Sequence, residues 1–286
     1  MDREYIMPRE YKNAEGLLHR EGGLPAVEFA NGRKEWWVNG HRHRDGGLPA
    51  LDHANGSKEW YVNGQLHRDG GLPAVERVDG TKSWYVNGHR HREGGLPAVE
   101  YPAGSKFWYV NGECHRDGGL PAIERSNGTK EWYVNGHRHR EGGLPAVEWS
   151  DGGGKEWWVN GQRHRDGGLP AIECVDGSKQ WWVNGQQHRE GGLPAVEYPE
   201  GGDDYENEWW VNGRELSEEK SLKYFSFCQK MKEKKRVRAQ KKIYFWWIQI
   251  CYDLEHPSGC GQRMAVKNLI SFEEMMSPKI LDIMKA

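Results

Sequence analysis

The stretch HRDGGLPALDHANGSKEWYVNGQL, residues 43–66, is one copy of a unit that recurs through most of this 286-residue chain. Its opening motif, His-Arg-(Asp/Glu)-Gly-Gly-Leu-Pro-Ala, occurs eight times and begins at His19, His43, His67, His91, His115, His139, His164 and His188. Successive copies start 24 residues apart, except for one interval of 25. Self-similarity at such a period is typical of repeat proteins, in which each unit is too small to bury its apolar face alone and stacks on its neighbours.

Two turn signals divide each unit into three short strands. In the first unit we expect strands over residues 25–30, 33–38 and 41–44, separated by Asn31-Gly32 and Asn39-Gly40. Asn-Gly between strand-like runs is the strongest short hairpin signal, because a two-residue type I′ turn needs positive φ at both central residues. The many Gly (38) and Trp (15) residues agree with tight turns and half-buried strands. The sequence therefore predicts a mainly β fold, an elongated tandem array of eight hairpin or meander repeats, with a small α-helical C-terminal region.

Two-residue loops at both turns would fix the strand register. One face then carries an aliphatic–Trp–His row, and the other carries an acid–acid–Arg row beside an aromatic–Arg pair. The position of Phe29 varies between copies, as expected beside an exposed turn. The predicted opposite pairs are Val27 with Trp36, Trp36 with His43, Glu28 with Glu35, Glu35 with Arg44, and Trp37 with Arg42.

The two ends of the array depart from the repeat pattern. Residues 11–16 are interpreted as a degraded half-repeat, and residues 200–204 replace the hairpin turn of the eighth copy. Terminal repeats are often atypical because they cap the stack. We therefore divide the chain into an N-terminal half-repeat or cap (1–18), eight repeats (19–213) and a basic, aromatic helical tail (214–286).

The tail changes both the pattern and the charge of the chain. Residues 1–213 contain 25 basic and 33 acidic side chains, whereas residues 214–286 contain 15 and 9. Ser217 followed by two Glu residues predicts a helix start, since a hydroxyl caps the first turn and acids favour its positive end. We expect this helix to run to about Tyr252, a second to cover residues 262–276, and a short third to begin at Ser277.

A basic run in the predicted tail helix precedes an aromatic cluster at residues 243–248. Such a segment favours binding to nucleic acid, an anionic membrane surface or an acidic partner. The alternative is a solvated helix face whose aromatic end packs on the last repeat and caps the strand edge. The candidate basic patch consists of Lys232, Lys234, Lys235, Arg236, Arg238, Lys241 and Lys242.

The second aromatic position of each repeat is the candidate partner-binding row. Exposed aromatics flanked by Arg suit a protein interface, and they also suit stacking on nucleic-acid bases or sugars. The alternative is a second core face between packed sheets. The row consists of Trp37, Tyr61, Tyr85, Tyr109, Tyr133, Trp158, Trp182 and Trp210.

The sequence lacks a catalytic constellation and a cofactor motif. His-Arg-Asp, as at residues 43–45, matches part of a kinase catalytic loop, but the other kinase motifs are missing. The motif recurs in each repeat with Asp and Glu interchanging, which indicates a structural role. No P-loop or Gly-x-Ser-x-Gly is present. We therefore predict a protein that is not an enzyme and that needs no cofactor.

His-x-His pairs at residues 41/43, 89/91 and 137/139 place two imidazoles on one strand face, as a metal site requires. The alternative, which we prefer, is that the second His packs on Trp and bonds a turn, as in every copy. The five Cys residues are odd in number and irregular in spacing, which favours reduced thiols in an intracellular protein. No targeting segment or transmembrane helix is predicted.

The recurring Tyr-Val-Asn-Gly hairpin resembles the MORN family of β-hairpin repeats. With His-Arg-Asp-Gly-Gly-Leu-Pro-Ala between hairpins, residues 11–213 look like a divergent MORN-like variant found in large DNA viruses of amoebae and in some bacteria. The segment from Lys241 to Met264 is also similar to one in such viral repeat proteins. The resemblance implies a scaffold or membrane-associated adaptor, in a host cytoplasm or virion if the protein is viral.

Together these features predict a non-catalytic repeat scaffold for protein–protein interaction, with a viral assembly or host-interaction role implied by the resemblance. The alternative is a nucleic-acid or anionic-membrane adaptor that acts through the basic helix.

Overall fold

The computed structural model describes residues 7–199 and 206–253 of the protein. Contacts divide the chain into two compact units, Met1–Ser221 and Leu222–Ala286. The predicted fold class is confirmed, because tandem hairpins form an antiparallel sheet and an α-helix follows them.

A 16-stranded antiparallel sheet runs through the repeats in chain order. The second strand of one repeat pairs with the first strand of the next, as Lys34–Glu35 does with Leu51–Asp52. The outermost strands of this sheet are Arg9–Glu10 and Val196–Glu197. In chain order, its strands are Arg9–Glu10, Val27–Glu28, Lys34–Glu35, Leu51–Asp52, Lys58–Glu59, Val75–Glu76, Lys82–Ser83, Val99–Glu100, Lys106–Phe107, Ile123–Glu124, Lys130–Glu131, Val147–Glu148, Gly154–Glu156, Ile172–Cys174, Lys179–Gln180 and Val196–Glu197.

Eight separate two-stranded hairpins accompany this sheet, one from each repeat. Their strand pairs are Trp37–Val38 with His41–Arg42, Tyr61–Val62 with Gln65–Leu66, Tyr85–Val86 with His89–Arg90, Tyr109–Val110 with Glu113–Cys114, Tyr133–Val134 with His137–Arg138, Trp158–Val159 with Gln162–Arg163, Trp182–Val183 with Gln186–Gln187, and Trp209–Val211 with Arg214–Leu216. The last pair carries the eighth repeat to Leu216, three residues beyond the boundary that the sequence pattern suggested.

In the first seven repeats, the residue that separates the two kinds of sheet is the first Trp. The N–H of Trp36 donates to the carbonyl of Ala50 in the next repeat (2.8 Å), and its carbonyl accepts from His43 N–H (3.1 Å). The backbone bonds of residues 33–38 are therefore divided between two sheets. The prediction of one continuous middle strand was wrong for this reason.

The second turn of each repeat has the predicted geometry. Asn39 and Gly40 both have positive φ, at 47° and 79°, which defines a two-residue type I′ loop. Trp37 consequently lies opposite Arg42, as predicted.

The first turn has a different geometry, although its residues are the same. The φ of Asn31 is not positive, whereas the φ of Gly32 is 89°. Phe29 N–H donates to the Arg33 carbonyl (3.0 Å) across a three-residue loop. A three-residue loop that ends in a left-handed Gly adds one residue to the connection.

The register across this first turn therefore differs by one residue from the prediction. Val27 lies opposite Glu35, and Glu28 lies opposite Lys34. The predicted pairs of Val27 with Trp36 and of Glu28 with Glu35 are wrong. One face of the large sheet instead carries alternating acids and lysines, since Lys34 also pairs with Asp52 of the next repeat.

The core of the repeats is a ladder of small, aliphatic and indole side chains. Each indole Nε1–H donates to a glycine carbonyl of the Gly-Gly-Leu segment, as Trp36 does to Gly23 (2.9 Å). Burial of Trp is favourable because its large apolar area leaves water while its one donor is satisfied. The repeated buried residues are Ala26, Val27 and Trp36; Ala50, Leu51 and Trp60; Ala74, Val75 and Trp84; Ala98, Val99 and Trp108; Ala122, Ile123 and Trp132; Ala146, Val147 and Trp157; Ala171, Ile172 and Trp181; and Ala195 and Val196.

The N-terminal segment completes the first repeat. Tyr11 N–H donates to Ala26 (2.8 Å), and its carbonyl accepts from His19 N–H (3.0 Å). These are the bonds that Trp36 makes one repeat later. Tyr11 therefore stands at the first aromatic position of a half-repeat, and Arg9–Glu10 covers the edge of Val27–Glu28.

The extra residue of the sixth repeat is absorbed in its first turn. A 3₁₀ turn, Ser150–Gly152, replaces the three-residue loop, and Val147 still lies opposite the acid Glu156. A second 3₁₀ turn covers Glu190–Gly192. The altered turn at residues 200–204 lies outside the described residues.

The tail helix α1 spans Glu218–Asp253 and begins directly after Ser217, as predicted. The predicted second and third helices, and the loop before them, lie outside the described residues, as do the side chains of the aromatic cluster at 243–248.

Candidate interaction surface

The predicted partner-binding aromatics form a half-buried row with one ring in each repeat. In six repeats the ring donates a hydrogen bond to the side chain two positions earlier. Trp37 Nε1–H donates to Glu35 (2.9 Å), and the Tyr61 hydroxyl donates to Glu59 (2.6 Å). The polar groups of these rings are thus engaged within the protein. The six rings are Trp37, Tyr61, Tyr133, Trp158, Trp182 and Trp210.

Arginine side chains lie between successive rings of this row. The guanidinium of Arg42 is 4.9 Å from the Trp37 ring centroid and 5.6 Å from that of Tyr61 in the next repeat. Arg90, Arg138 and Arg163 are placed in the same way. A cation–π contact at such a partly exposed site contributes about 0.5–1 kcal/mol. At these four junctions an arginine therefore stacks between the rings of neighbouring repeats, whereas Leu66, Cys114 and Gln187 occupy the arginine position at the other three.

A buried carboxylate supports the row from the inner face of the large sheet, most completely at Glu131, which is 1% exposed. Arg125 donates to its Oε1 (2.8 and 2.6 Å), while Arg138 (2.9 Å) and the Tyr133 hydroxyl (3.2 Å) donate to Oε2. Burial opposes ionisation of Glu131, but the arginine contacts outweigh it and lower the pKa of this carboxyl.

Glu59, at the equivalent position three repeats earlier, makes corresponding contacts. Burial opposes its ionisation, and hydrogen bonds from Tyr61 and His53 outweigh that effect and lower its pKa. Burial, together with the bond to Glu59, raises the pKa of Tyr61 to about 12.

The variable position of each repeat supplies partners to these inner residues. Arg125 bonds Glu131 and His53 bonds Glu59, whereas Tyr101 packs edge-on against Phe107 at 5.4 Å. In these three repeats the variable side chain contacts the inner residue six positions later.

The arginine of each His-Arg-acid motif is held against the core. Arg68 Nη1 donates to the Pro73 carbonyl (3.2 Å) and to Glu76 (2.9 Å), and its guanidinium lies 3.7 Å from the Trp60 ring centroid. Arg44 lies on Trp36 in the same way (3.8 Å), so its predicted position opposite Glu35 was wrong.

The shared histidine of each motif bonds the second turn of its own copy. His43 Nδ1 accepts from Asn63 N–H (3.3 Å), and its Nε2 bonds Asp45 (3.0 Å). These bonds fix the tautomer with hydrogen on Nε2. In the first His-x-His pair, His41 packs on Gly64, where a Cβ would lie 3.4 Å from its Nδ1. The second histidine of the pair thus bonds a turn, as the alternative expects, but as the acceptor.

The acids of these motifs point into solvent. In seven motifs the carboxylate accepts a hydrogen bond from Nε2–H of its histidine, and the acid side chain is 88–96% exposed. The acids are Glu21, Asp45, Asp69, Glu93, Asp117, Glu141, Asp166 and Glu190.

Beside the acids lies a row of half-exposed leucines that sequence reasoning missed. All eight are 49–51% exposed, so each places the same amount of apolar surface in water. The available signal was an invariant apolar residue within a Gly-Gly-Leu-Pro turn, where a polar residue is usual. We call the eight acids and these leucines the acid–leucine edge. The leucines are Leu24, Leu48, Leu72, Leu96, Leu120, Leu144, Leu169 and Leu193.

Grooves lie along this edge between consecutive repeats. The described grooves between Leu24 and Leu48, Leu96 and Leu120, and Leu169 and Leu193 have volumes of about 230, 320 and 310 Å³. Each is lined by the His-Arg-acid-Gly-Gly-Leu loops of two repeats and by the aromatic pair between them. The same polar and apolar groups are thus presented several times.

The seven residues of the candidate basic patch are all exposed on α1. Arg236 pairs with Glu233 (2.9 Å), which is the one acid among residues 230–242.

Within residues 7–199 and 206–253, no cluster of three His, Cys, Asp or Glu side chains is arranged to hold a metal ion. Within the same residues, no helix combines the length and the apolar character that crossing a bilayer requires. Cys114, Cys174 and Cys228 are free thiols, and burial together with Glu131 raises the pKa of Cys114 to about 12.

Comparison with known proteins identifies no relative: no family model and no curated protein matches this chain.

Proposed function

We propose that the protein is a non-catalytic scaffold whose repeats bind a partner protein at several equivalent places. The observation that carries this proposal is the repetition of one groove, with the same leucine, histidine and carboxylate, between successive repeats. Equivalent sites on one array raise avidity without requiring a strong single contact. A tuned catalytic site would instead require one repeat to differ chemically from the others. The MORN-like resemblance supports the same role and adds a viral assembly or host-interaction setting to the proposal.

The aromatic row remains a candidate part of the binding surface. Its test uses Tyr85 and Tyr109, because Ser83 and Phe107 stand where other repeats have an inner carboxylate or amide. Substituting both tyrosines with Leu removes aromatic and hydroxyl groups while retaining apolar volume. We expect weaker partner binding if the row contributes contacts.

A second candidate function is binding of nucleic acid or an anionic membrane through α1. The exposure of seven basic side chains within residues 232–242, with one acid among them, favours it. Binding that depends on these charges would fall steeply with salt, because counterions are released on association.

One experiment separates the two functions. Tagged full-length protein and a variant with Lys234, Lys235, Arg236 and Arg238 changed to Gln are used to capture partners from the native cell, with and without nuclease. The scaffold proposal expects the same defined proteins with both forms after nuclease treatment. Capture that disappears with the substitutions or with nuclease would contradict it and favour the second function.

A further inference from the structure

The acid–leucine edge has a composition that the fold alone does not require. Its leucines leave half of their surface in water in every repeat, while the core is formed by Ala, the aliphatic residue and Trp. Regular apolar surface of this kind, bordered by polar groups, marks an interaction site. A partner that covered these leucines would gain about 25 cal/mol for each Å² of apolar surface removed from water.

The charge of the edge specifies the partner. The carboxylates of seven of these acids are 88–96% exposed, whereas the arginines that pair with glutamates of the large sheet, as Arg68 does with Glu76, are 17–23% exposed. Those arginines also bond proline carbonyls, which holds them against the repeat. The edge therefore presents negative charge and apolar surface together. Electrostatic complementarity calls for a partner with basic and apolar side chains.

The spacing of the edge specifies the conformation of that partner. Each repeat adds two strands to the large sheet. Equivalent edge residues of successive repeats are therefore about 9.6 Å apart at the usual distance between strands. Seven residues of α-helix advance about 10.5 Å and return to nearly the same face. Three residues of extended chain advance about 10 Å, but side chains three apart point to opposite faces. A helix therefore matches the edge, and a strand does not.

We propose that the acid–leucine edge binds a basic amphipathic α-helix of a partner protein, with a leucine-sized residue and flanking Lys or Arg side chains every seven residues. Each apolar side chain of the helix enters one groove, and its basic neighbours pair with the exposed acids on either side. This inference rests on the proposed scaffold function and adds the surface and the class of partner. Seven helical residues rise about 1 Å more than the distance between successive repeats, and this mismatch limits a straight helix to roughly four consecutive grooves.

The test uses the full-length protein and a synthetic 28-residue helical peptide of four heptads, each with one Leu and two Lys, labelled for fluorescence anisotropy. The test variant combines Asp69→Asn and Asp166→Asn, which alters at least one carboxylate in every run of five repeats, the number that four consecutive grooves span. The control combines Asp79→Asn and Asp176→Asn, two exposed acids of the first turns, where other repeats already have Asn. Both variants remove two negative charges, so the test and the control differ only in the position of those charges on the surface.

We expect the test variant to bind the peptide about two- to fivefold more weakly, as for loss of one exposed ion pair, and the control to bind as the wild type does. A variant with Leu72, Leu96, Leu120 and Leu144 changed to Ser is expected to lose binding about tenfold or more. Circular dichroism checks that each variant is folded. If the Leu→Ser variant is not folded, the wild-type protein is titrated with a peptide that has Ser in place of Leu, which removes the apolar contacts from the peptide instead of the protein.

Equal weakening by the test and control variants would overturn the proposal, because binding would then follow total charge. Tight binding of the Ser peptide would also overturn it. If the wild-type protein captures partners but does not bind the heptad peptide, the proposal fails while the scaffold function stands.

Discussion

Asp52 occupies the position where the other seven repeats have Glu, and the difference of one methylene is visible in its contacts. In the third repeat, Glu76 accepts from Arg68 at 2.9 Å. Asp52 Oδ1 is buried without a hydrogen-bond partner, and Arg44 retains its bond to Pro49. A buried acceptor without a donor is destabilising.

We therefore expect Asp52→Glu to stabilise the protein by about 0.5–1.5 kcal/mol through the restored bond to Arg44. Chemical denaturation monitored by tryptophan fluorescence would measure the free energy of unfolding. The reverse change in the next repeat, Glu76→Asp, is the matched control and should destabilise by a similar amount. An Asp52→Glu variant no more stable than the wild type would contradict this reading of the contact.

Acid should destabilise the protein in two steps. Burial lowers the pKa of His188 below 6.5, with Glu190 opposing, so the unfolded state binds more protons just below that pH and stability falls there. The pKa values of Glu59 and Glu131 lie below 4.5, so the stability they contribute is lost as pH falls through that region.

The first step can be measured by thermal denaturation between pH 7.5 and 5. His188→Asn retains an acceptor for Asn212 N–H, which His188 Nδ1 holds at 3.3 Å, but it does not titrate. We expect the melting temperature of this variant to fall less between these pH values. An identical slope would show that His188 does not contribute to the pH dependence.

At the scale of the turns, identical dipeptides adopt different conformations. Asn63 has φ 50° in a type I′ turn, whereas Asn55 lies in a three-residue loop and accepts from Ser57 N–H (3.0 Å). Left-handed backbone disfavours a residue with a Cβ, and Asn tolerates it better than Ala. We expect Asn63→Ala to cost about 1–2 kcal/mol.

Asn55→Ala loses one part-buried side-chain bond without a change of backbone strain and should cost less, about 0.5–1 kcal/mol. Urea denaturation of the two variants gives the comparison directly. Equal losses would mean that the positive φ of Asn63 is not the determining factor.

The sixth repeat provides a second test at this scale. Gly154 has φ 115°, and a Cβ there would lie 2.5 Å from the Glu173 carbonyl oxygen. Gly56 has φ 89° with open space around it. Both Ala variants incur backbone strain of about 1–2 kcal/mol, but Gly154→Ala must also move a strand of the next repeat. We expect a clearly larger fall in melting temperature for Gly154→Ala, and equal falls would contradict the close approach.

At the scale of the whole array, stability depends on contacts between neighbours. The Trp108 indole N–H donates to the Gly95 carbonyl (2.9 Å). The main-chain N–H of Trp108 donates to the carbonyl of Ala122 in the next repeat (2.8 Å). In such an array a weak central unit can divide cooperative unfolding into separate parts. We expect Trp108→Leu to broaden or split the urea transition of the repeats.

Trp36→Leu removes the equivalent indole bond and ring packing near one end, leaves the main-chain bond in place, and should shift the transition without splitting it. Circular dichroism gives the transition, and hydrogen exchange locates the part that opens first. A central variant with one sharp, merely shifted transition would indicate coupling beyond nearest neighbours.

The sequence by itself determined the number of repeats, their β character, the type I′ turns at Asn39-Gly40 and the start of α1, because each depends on local backbone preference and strict periodicity. The pairing of Val27 with Glu35, the division of the middle strand at Trp36 and the role of the variable position were decided by tertiary structure. One repeat cannot satisfy its own backbone groups, so Trp36 bonds Ala50 of the next copy, and that bond sets which sheet each residue joins. Exposure of the acid–leucine edge follows from the same stacking, since burial of the neighbouring Trp and Arg leaves Leu and the carboxylate on the outside.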